Sequence, residues 1–294
     1  MRESLCYRAR AHRVPNMLAP VIPTHERLLA DLAKFAYSNP LSACVRVQAK
    51  QSYTLHALSI DTPLFAIPLE GMKRVHSEHS PIHVRRGEVF LVTKPQVLDV
   101  ENVPDRISGR YLAIGIPLHS NVLEAARQLI PNRAAVSASA VASVLIEPYV
   151  EDISAWLSAL LRGDSLRVYH AMVGLALRVY EEGFYELLQP RAPSLAAQIR
   201  AMISTEPAKD WSSEEIEHTL AMSGATLRRR LAADGTSLRD VIVEARLSQA
   251  FMLLSTTNLP VKTVALRVGY NSASTFARRF NERYGVEPSR LSNE

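Results

Sequence analysis

The chain has 294 residues, of which 47% are hydrophobic and 21% charged, a composition that can bury two ordinary cores and indicates a cytoplasmic protein with more than one domain. No apolar run approaches the roughly 18 residues needed to span a bilayer, which argues against a membrane protein. The formal net charge of +5 is too small to indicate a nucleic-acid partner by itself.

The N-terminal segment is rich in arginine and poor in acids, but no apolar stretch follows it, so it lacks the pattern of a secretory signal. We expect residues 1–20 to form a disordered leader. Met17 is a second candidate start, which would leave residues 1–16 outside the native protein. The two cysteines, Cys6 and Cys44, form no metal or redox motif, which suits a reducing compartment.

From residue 43 to about residue 117 the pattern is that of short strands. Val45, Val47 and Ala49 alternate with polar residues, which is the period of a half-buried strand. Further strands are predicted at residues 53–60, 64–69, 82–85, 88–93, 96–103 and 111–116. Many short strands with turns at close intervals are typical of a small barrel or sandwich.

Helical patterns follow the strands. Two apolar stripes have helical spacing, namely Ile153, Trp156, Leu157, Leu160 and Leu161, and then Val168, Met172, Leu175 and Val179. Stripes of this kind usually face a core. Residues 190–193 (PRAP) predict a stiff linker, so the chain divides into a domain of residues 21–189 and a second domain of residues 194–294.

The second domain contains one short motif twice. Residues 226–231 (TLRRRL) return as residues 275–280 (TFARRF), with a Thr, two Arg and two large apolar residues in the same order. The apolar residues are four apart and therefore share one face of a helix. Ser223 and Ser272 precede the two motifs where an N-cap is expected. Because the arginines recur at matched positions, we favour a functional role over an ordinary solvated charge run.

Each motif is preceded by a shorter helical segment and a turn. Ser212 and Glu215 predict a capping box before the first motif, and Pro260 suits the first helical position before the second. Between the motifs, a long amphipathic helix is predicted over residues 238–255, with a buried face made of Leu238, Val241, Ile242, Ala245, Gln249, Met252 and Leu253. This order predicts two helix-turn-helix units joined by a rigid helix, with reading helices near 224–233 and 272–283. To enter successive major-groove segments on one side of a duplex, those helices need a separation of about 34 Å.

Over residues 194–291 the chain resembles the AraC family of bacterial transcription regulators. Ordered segments carry the resemblance, namely residues 235–238 (GTSL), 245–247 (ARL), 253–254 (LL), 269–270 (GY), 272–280 and 285–288 (GVEP). The form of residues 233–237 (ADGTS) is similar to the subgroup of enteric acid-resistance and virulence activators. Two features depart from the family. Asn281 stands where many members have a basic residue, and residues 221–223 (AMS) replace the Gly-aromatic turn in the first unit.

The resemblance implies roles for residues of the two reading helices. Base edges would be contacted by Ala225, Arg228, Arg229, Ala273, Ser274, Thr275 and Arg278. Phosphates would be contacted by Arg230, Arg279 and Arg283. The apolar residues of both motifs, Leu227, Leu231, Phe276 and Phe280, are expected to lie in the core.

The resemblance also implies an α+β chain, with a cupin-like N-terminal barrel and a helical dimerisation segment before an all-α DNA-binding domain. The expected partners are double-stranded DNA, RNA polymerase and a second copy of the chain. A fatty-acid-like effector is a further expectation, with Lys50, Lys73 and Lys94 as candidate contacts. The function that follows is a sequence-specific regulator, most simply an activator, controlled through its N-terminal domain.

Catalytic and metal sites are not predicted. His76, His79 and His83 lie within eight residues, and the residues between them are predicted to form a loop, but the spacing differs from the His-x-His pattern of cupin enzymes. No cofactor is expected. The chain lacks a G-x-S-x-G motif, a CxxC motif and a glycine-rich phosphate loop, so we do not expect an enzyme.

Three other hypotheses stay open from the sequence. A protein partner, rather than a small ligand, would control the N-terminal domain. A cupin-type metalloenzyme would carry the DNA-binding domain as a tail. An architectural protein would bind DNA without preference for sequence.

Overall fold

The computed structural model describes residues 24–38, 44–76, 81–130 and 139–291. An N-terminal region of strands and helices precedes an all-helical C-terminal domain, which confirms the predicted α+β class. The predicted leader of residues 1–20 lies outside the described residues, as does His79.

The strands of the N-terminal region build two antiparallel sheets. They are β1 (Val45–Ala49), β2 (Tyr53–Ile60), β3 (Leu64–Glu70), β4 (Met72–His76), β5 (Ile82–Arg85), β6 (Glu88–Val92), β7 (Gln96–Val103), β8 (Tyr111–Pro117) and β9 (Val141–Leu145). One sheet has the order β1-β8-β3-β6-β9 and the other β2-β7-β4-β5. Apolar residues of both sheets, such as Ala66, Val75, Phe90 and Val100, pack together between them, as expected for a barrel or sandwich.

The predicted strands agree with the structure to within a residue at each end, but two strands were not predicted. β4 and β9 are additional, so His76 lies in a strand that was not predicted, whereas His83 lies in β5, as the predicted strand of residues 82–85 requires. In β4, the buried Lys73 stands between the half-buried Met72 and Arg74. Because a lysine occupies a buried position, the strand shows no simple alternation of apolar and polar residues.

Four helices of the described N-terminal region pack against the outer face of the five-stranded sheet. They are α1 (Thr24–Ser38), α2 (Ser120–Arg127), α3 (Val150–Leu161) and α4 (Ser165–Glu181). The sheet is therefore buried on both faces, because Phe65 and Ile67 contact these helices whereas Ala66 faces the other sheet. The two predicted stripes are confirmed as core, apart from Leu161 at the end of α3, which is 61% exposed.

The C-terminal domain consists of helices α5 (Leu195–Thr205), α6 (Ser213–Thr219), α7 (Gly224–Ala233), α8 (Leu238–Thr256), α9 (Val261–Arg267) and α10 (Ala273–Tyr284). Helix α8 serves two cores. Its first half packs with α5 to α7, and its second half packs with α9, α10 and the N-terminal sheets. The sequence predicted a single buried face for α8, and this prediction is wrong at Met252, which is 37% exposed. Leu247, Ala250 and Leu254, which lie outside the predicted face, are buried. A helix with neighbours on several sides has no single apolar stripe. Among the described helices, none has the length and apolarity to cross a bilayer.

Candidate nucleic-acid interface

The first helix-turn-helix unit consists of α6 and α7, and both helices begin at a serine cap. The Ser212 hydroxyl accepts a hydrogen bond from the Glu215 amide at 3.1 Å, while the Glu215 carboxylate accepts one from the Ser212 amide at 3.2 Å. The predicted capping box is thus confirmed. Helix α7 begins after Ser223, whose hydroxyl accepts a hydrogen bond from the Thr226 amide at 3.4 Å.

The second unit, α9 and α10, repeats this arrangement. Helix α10 begins after Ser272, whose hydroxyl accepts a hydrogen bond from the Thr275 amide at 3.3 Å. Pro260 stands immediately before α9, one position earlier than predicted. Each reading helix therefore starts at a fixed point, which sets the direction in which its first turn projects.

The turns of the two units are closed by the same backbone motif with different residues. In the first, the Met222 amide bonds the Glu217 carbonyl, and in the second, the Tyr270 amide bonds the Ala265 carbonyl. These bonds define a Schellman ending, which requires a left-handed residue just before the bonding amide. That residue is Gly269 in the second unit, with φ of 84°, but Ala221 in the first, with φ of 49°.

Ala221→Gly is expected to stabilise the protein by up to about 1 kcal/mol, because alanine is strained in the left-handed region and glycine is not. The side chain of Ala221 is exposed, so little packing is lost. Chemical denaturation of the domain checks this change, with Ala232→Gly, in the last turn of α7, as a control expected to destabilise. Equal destabilisation by both changes would contradict the role given to Ala221.

The predicted core and surface residues of the reading helices separate as expected. Leu227, Leu231, Phe276 and Phe280 are buried, which confirms their place in the core. On the other side, the predicted base-contacting residues Ala225, Arg228, Arg229, Ser274, Thr275 and Arg278 are exposed, and Ala273 is half-buried. The arginines thus project away from the packed faces of α7 and α10.

These arginines have few partners within the protein. Within the described ranges, no hydrogen bond or ion pair is formed by the side chains of Arg228, Arg229, Arg230 and Arg279. Arg278 pairs with Glu282 on the same helix at 3.0 Å, and both side chains are exposed. Such surface pairs contribute roughly 0–1 kcal/mol, so a polyanion can displace the carboxylate.

Arg283 was predicted to contact a phosphate, and the structure places it elsewhere. Its guanidinium donates to the Glu244 carboxylate at 2.8 Å and to the carbonyl of His56, in β2, at 3.1 Å. Arg283 therefore faces the N-terminal domain in this arrangement and is not offered to DNA. The sequence held no local signal of this contact, because His56 is far away along the chain.

Glu244, on α8, is the centre of this contact between the domains. Its carboxylate also accepts hydrogen bonds from Ser59 of β2 and from Arg200 of α5, the latter at 3.2 Å. Arg200 in turn binds both oxygens of Asp61 at 2.7 Å. Although burial opposes the charge, the hydrogen bonds from Ser59 and Arg283 hold the pKa of Glu244 below its usual value.

Apolar contacts accompany these ion pairs. Phe251 and Tyr284 of the second unit share one buried cluster with Leu55 and Ala113 of the N-terminal sheets. Helix α10 ends at Gly285, where a Cβ atom would lie 2.8 Å from the ring of His56. The second unit and the N-terminal domain are therefore packed against each other through a shared buried cluster, and the sequence did not predict this contact.

A cavity of about 290 Å³ lies where the two domains meet. Its walls are mostly apolar side chains of the two sheets, and Ser248, Phe251, Met252 and Tyr284 close it from the side of the C-terminal domain. Lys73 lines it and is itself buried, with its ammonium nitrogen donating to the Asn102 side-chain oxygen at 2.7 Å. Burial lowers the pKa of Lys73 from 10.5 to about 7.

The three lysines predicted to meet an effector are not brought together. Only Lys73 lines this cavity. Lys50 lines a separate cleft with Arg110 and Arg290, and Lys94 binds Glu186 at 3.0 Å. Near Lys73, the buried side-chain nitrogen of Asn102, which also lines this cavity, has no hydrogen-bond partner among the described residues.

The structure gives no support to a metal hypothesis within its described residues, where no three His, Cys, Asp or Glu side chains converge. The expectations of no metal and no enzyme activity stay predictions.

Comparisons with known proteins agree with these features. A family model described as a helix-turn-helix domain matches residues 217–294. The regulator GadX of Escherichia coli is 30% identical over 103 residues, which are 35% of this chain and 38% of GadX. An uncharacterised HTH-type transcriptional regulator of Mycobacterium tuberculosis is 37% identical over 102 residues, 35% of this chain and 30% of that protein. The chain thus matches about a third of the length of these relatives.

The whole fold is similar to a solved structure. Apo ToxT of Vibrio cholerae aligns with a TM-score of 0.62 and 14% identity, covering 84% of this chain and 94% of that one. At this identity, the likeness concerns the fold. Together with the two helix-turn-helix units, the matches show that the C-terminal domain is similar to the helix-turn-helix domains of bacterial transcription regulators, in agreement with the AraC-type resemblance of residues 235–288.

Proposed function

We propose that this chain is a sequence-specific DNA-binding transcription regulator, and that its N-terminal domain binds an acidic, largely apolar effector. The observation that carries the first part is the repeated pair of capped helices, each buried on one face and bearing exposed arginines without strong internal partners. Cationic side chains that the fold leaves unpaired are available to the phosphates and base edges of DNA.

In this proposal α7 and α10 enter successive major-groove segments. Arg228, Arg229 and Arg278 are candidates for the O6 and N7 edge of guanine, which suits a guanidinium. The small residues at the starts of both helices allow close approach but offer few hydrogen bonds to bases. We therefore expect modest base specificity, to which the shape of the DNA contributes.

Arg278→Ala is expected to weaken binding to the preferred duplex by about 5- to 150-fold, since a good arginine–guanine pair contributes roughly 1–3 kcal/mol of discrimination. Binding to random DNA should change much less. The measurement is fluorescence anisotropy with a duplex enriched from a random pool and with the unselected pool. Arg290→Ala, an exposed arginine outside the reading helices, is the control.

Equal losses on both duplexes would make Arg278 a phosphate contact instead. If the unchanged protein preferred no duplex over the random pool, the proposal of a sequence-specific regulator would fail, and an architectural role would be favoured.

The effector proposal is supported by the cavity beside Lys73. The Lys73 ammonium and the Asn102 side-chain nitrogen provide hydrogen-bond donors at the wall of a mostly apolar space. Buried polar groups without partners are costly, and an entering carboxylate could accept hydrogen bonds from both of these groups. A structure of ToxT, whose fold aligns with a TM-score of 0.59 at 16% identity, carries an unsaturated fatty acid. Fatty acids are therefore the first class to test.

The position of the cavity links effector binding to the DNA-binding domain. Because Phe251, Met252 and Tyr284 close it, a ligand would contact both domains at once. It can alter DNA binding only if it binds the docked and undocked arrangements unequally. Dimerisation through α3 and α4, with Leu161 and Leu166 exposed at their turn, and activation through RNA polymerase belong to the same proposal.

A further inference from the structure

A second cationic feature lies between the two helix-turn-helix units, outside the reading helices' first turns. It is an open cleft with an apolar floor of Leu238, Ile242 and Val243 from α8. Arg239 of α8 and Arg279 of α10 both line this cleft. Arg239 was not singled out by the sequence motifs.

The charge of this cleft is not neutralised within the protein. No carboxylate lines it, and the side chains of Arg239 and Arg279 form no hydrogen bond or ion pair in the part of the chain that the structure describes. Arg246, at its wall, is fixed instead by the carbonyls of Pro207 and Lys209, both at 2.9 Å. The buried hydroxyl of Tyr270 beside it also has no partner among the described residues.

The place of the cleft in the chain indicates what it faces. Helix α8 begins shortly after α7 ends, so Arg239 follows the first reading helix directly, whereas Arg279 belongs to the second. A domain that occupies two successive major-groove segments must pass over the sugar-phosphate backbone between them. The cleft lies between the elements that make those two contacts.

We infer that this cleft binds the DNA backbone between the two major-groove segments, with Arg239 and Arg279 as its phosphate contacts. The inference rests on the proposed DNA-binding function. Contacts of this kind carry no sequence information, but they fix the register of both reading helices on the duplex. They also release counterions, which makes them measurable through salt.

The experiment is a salt titration of the affinity for the random pool and for the enriched duplex. The slope of log K against log salt is negative, and Arg239→Ala should reduce its magnitude by about 0.9. The Arg239→Ala/Arg279→Ala double variant should reduce it by about twice that. Both duplexes should lose affinity by the same factor. Arg239→Lys should keep the slope, since it keeps the charge, and Arg290→Ala should leave it unchanged.

Each other result overturns the inference in a recognisable way. An unchanged slope in Arg239→Ala, with the unchanged protein still selecting its duplex, would reject the cleft and leave the proposed function standing. A loss confined to the enriched duplex would make Arg239 a base contact. A loss seen only with RNA polymerase present would assign the cleft to a protein partner. Failure of the unchanged protein to bind any duplex would reject the cleft together with the function.

Discussion

Lys73→Met is expected to stabilise the unliganded protein by about 1–4 kcal/mol at pH 7. Burial lowers the pKa of this lysine to about 7, and 1.4 kcal/mol per pKa unit makes its burial cost roughly 4–5 kcal/mol. Methionine fills similar space without that cost. It leaves the Asn102 oxygen without its donor, however, and this destabilises the variant by about 1–3 kcal/mol. Urea denaturation measures the difference, and Lys50→Met, at an exposed lysine, is the control.

The same residue predicts a dependence of stability on pH. Between about pH 7 and 10.5 the unfolded chain holds the Lys73 proton and the folded chain does not. The free energy of unfolding contributed by this group therefore rises with pH across that window, by up to about 1.4 kcal/mol per pH unit. Below pH 7 both states are protonated and the cost is constant. The rise should be absent in Lys73→Met, and an identical pH profile in both proteins would contradict the assignment.

Effector binding is tested with the same variant. A carboxylate stabilises the ammonium form of Lys73, so binding takes up a proton above pH 7 and its affinity should fall as the pH rises. Isothermal titration calorimetry with oleate is expected to show proton uptake in the unchanged protein and at least a tenfold loss of affinity in Lys73→Met. If the variant bound oleate with unchanged affinity, Lys73 would not hold the carboxylate.

Glu244→Gln is expected to loosen the contact between the domains while both stay folded. Glutamine keeps the shape of the side chain but leaves Arg283 without a charged partner, and Arg200 retains Asp61. The cost should be about 1–3 kcal/mol, between that of an exposed pair and that of a buried one, because these side chains are about a fifth exposed.

Hydrogen exchange measures this loosening. Exchange should accelerate in β2 and at the C-terminal end of α10, and it should stay slow in α3 and α4. Glu282→Gln on the solvent side of α10 is the matched control, since it removes only the pair with Arg278. Unchanged exchange in β2 of Glu244→Gln would mean that the apolar contact alone holds the domains together.

The sequence predicted well those features that depend on neighbours along the chain. The N-caps Ser212, Ser223 and Ser272, the buried faces of α7 and α10, and most strands follow from local periodicity and capping. The buried face of α8 was predicted poorly, because its neighbours change along its length from one helix-turn-helix unit to the other. Ala221 is a related case, since a conformation common for glycine is imposed there on alanine by the turn.

The candidate sites show the same limit. Lys50, Lys73 and Lys94 are indistinguishable by sequence pattern, and only the pairing of β4 with β7 buries Lys73 beside Asn102. Arg283 resembles the other arginines of its helix, but its environment is set by β2 and Glu244, which lie far away in the chain. Long-range packing, which no local pattern encodes, decides which cations stay exposed and which are paired within the protein.

The N-terminal sheets share a buried cluster with the second helix-turn-helix unit, whereas the core of the first unit contains no residue from them. A ligand that altered this packing would therefore act on α10 directly and on α7 only indirectly, through the shared helix α8 and through α5, whose Arg200 binds Asp61. One end of the protected DNA would stay constant, and the other would lengthen or shorten. Control would then be exerted on the size of the footprint rather than on the point where binding begins.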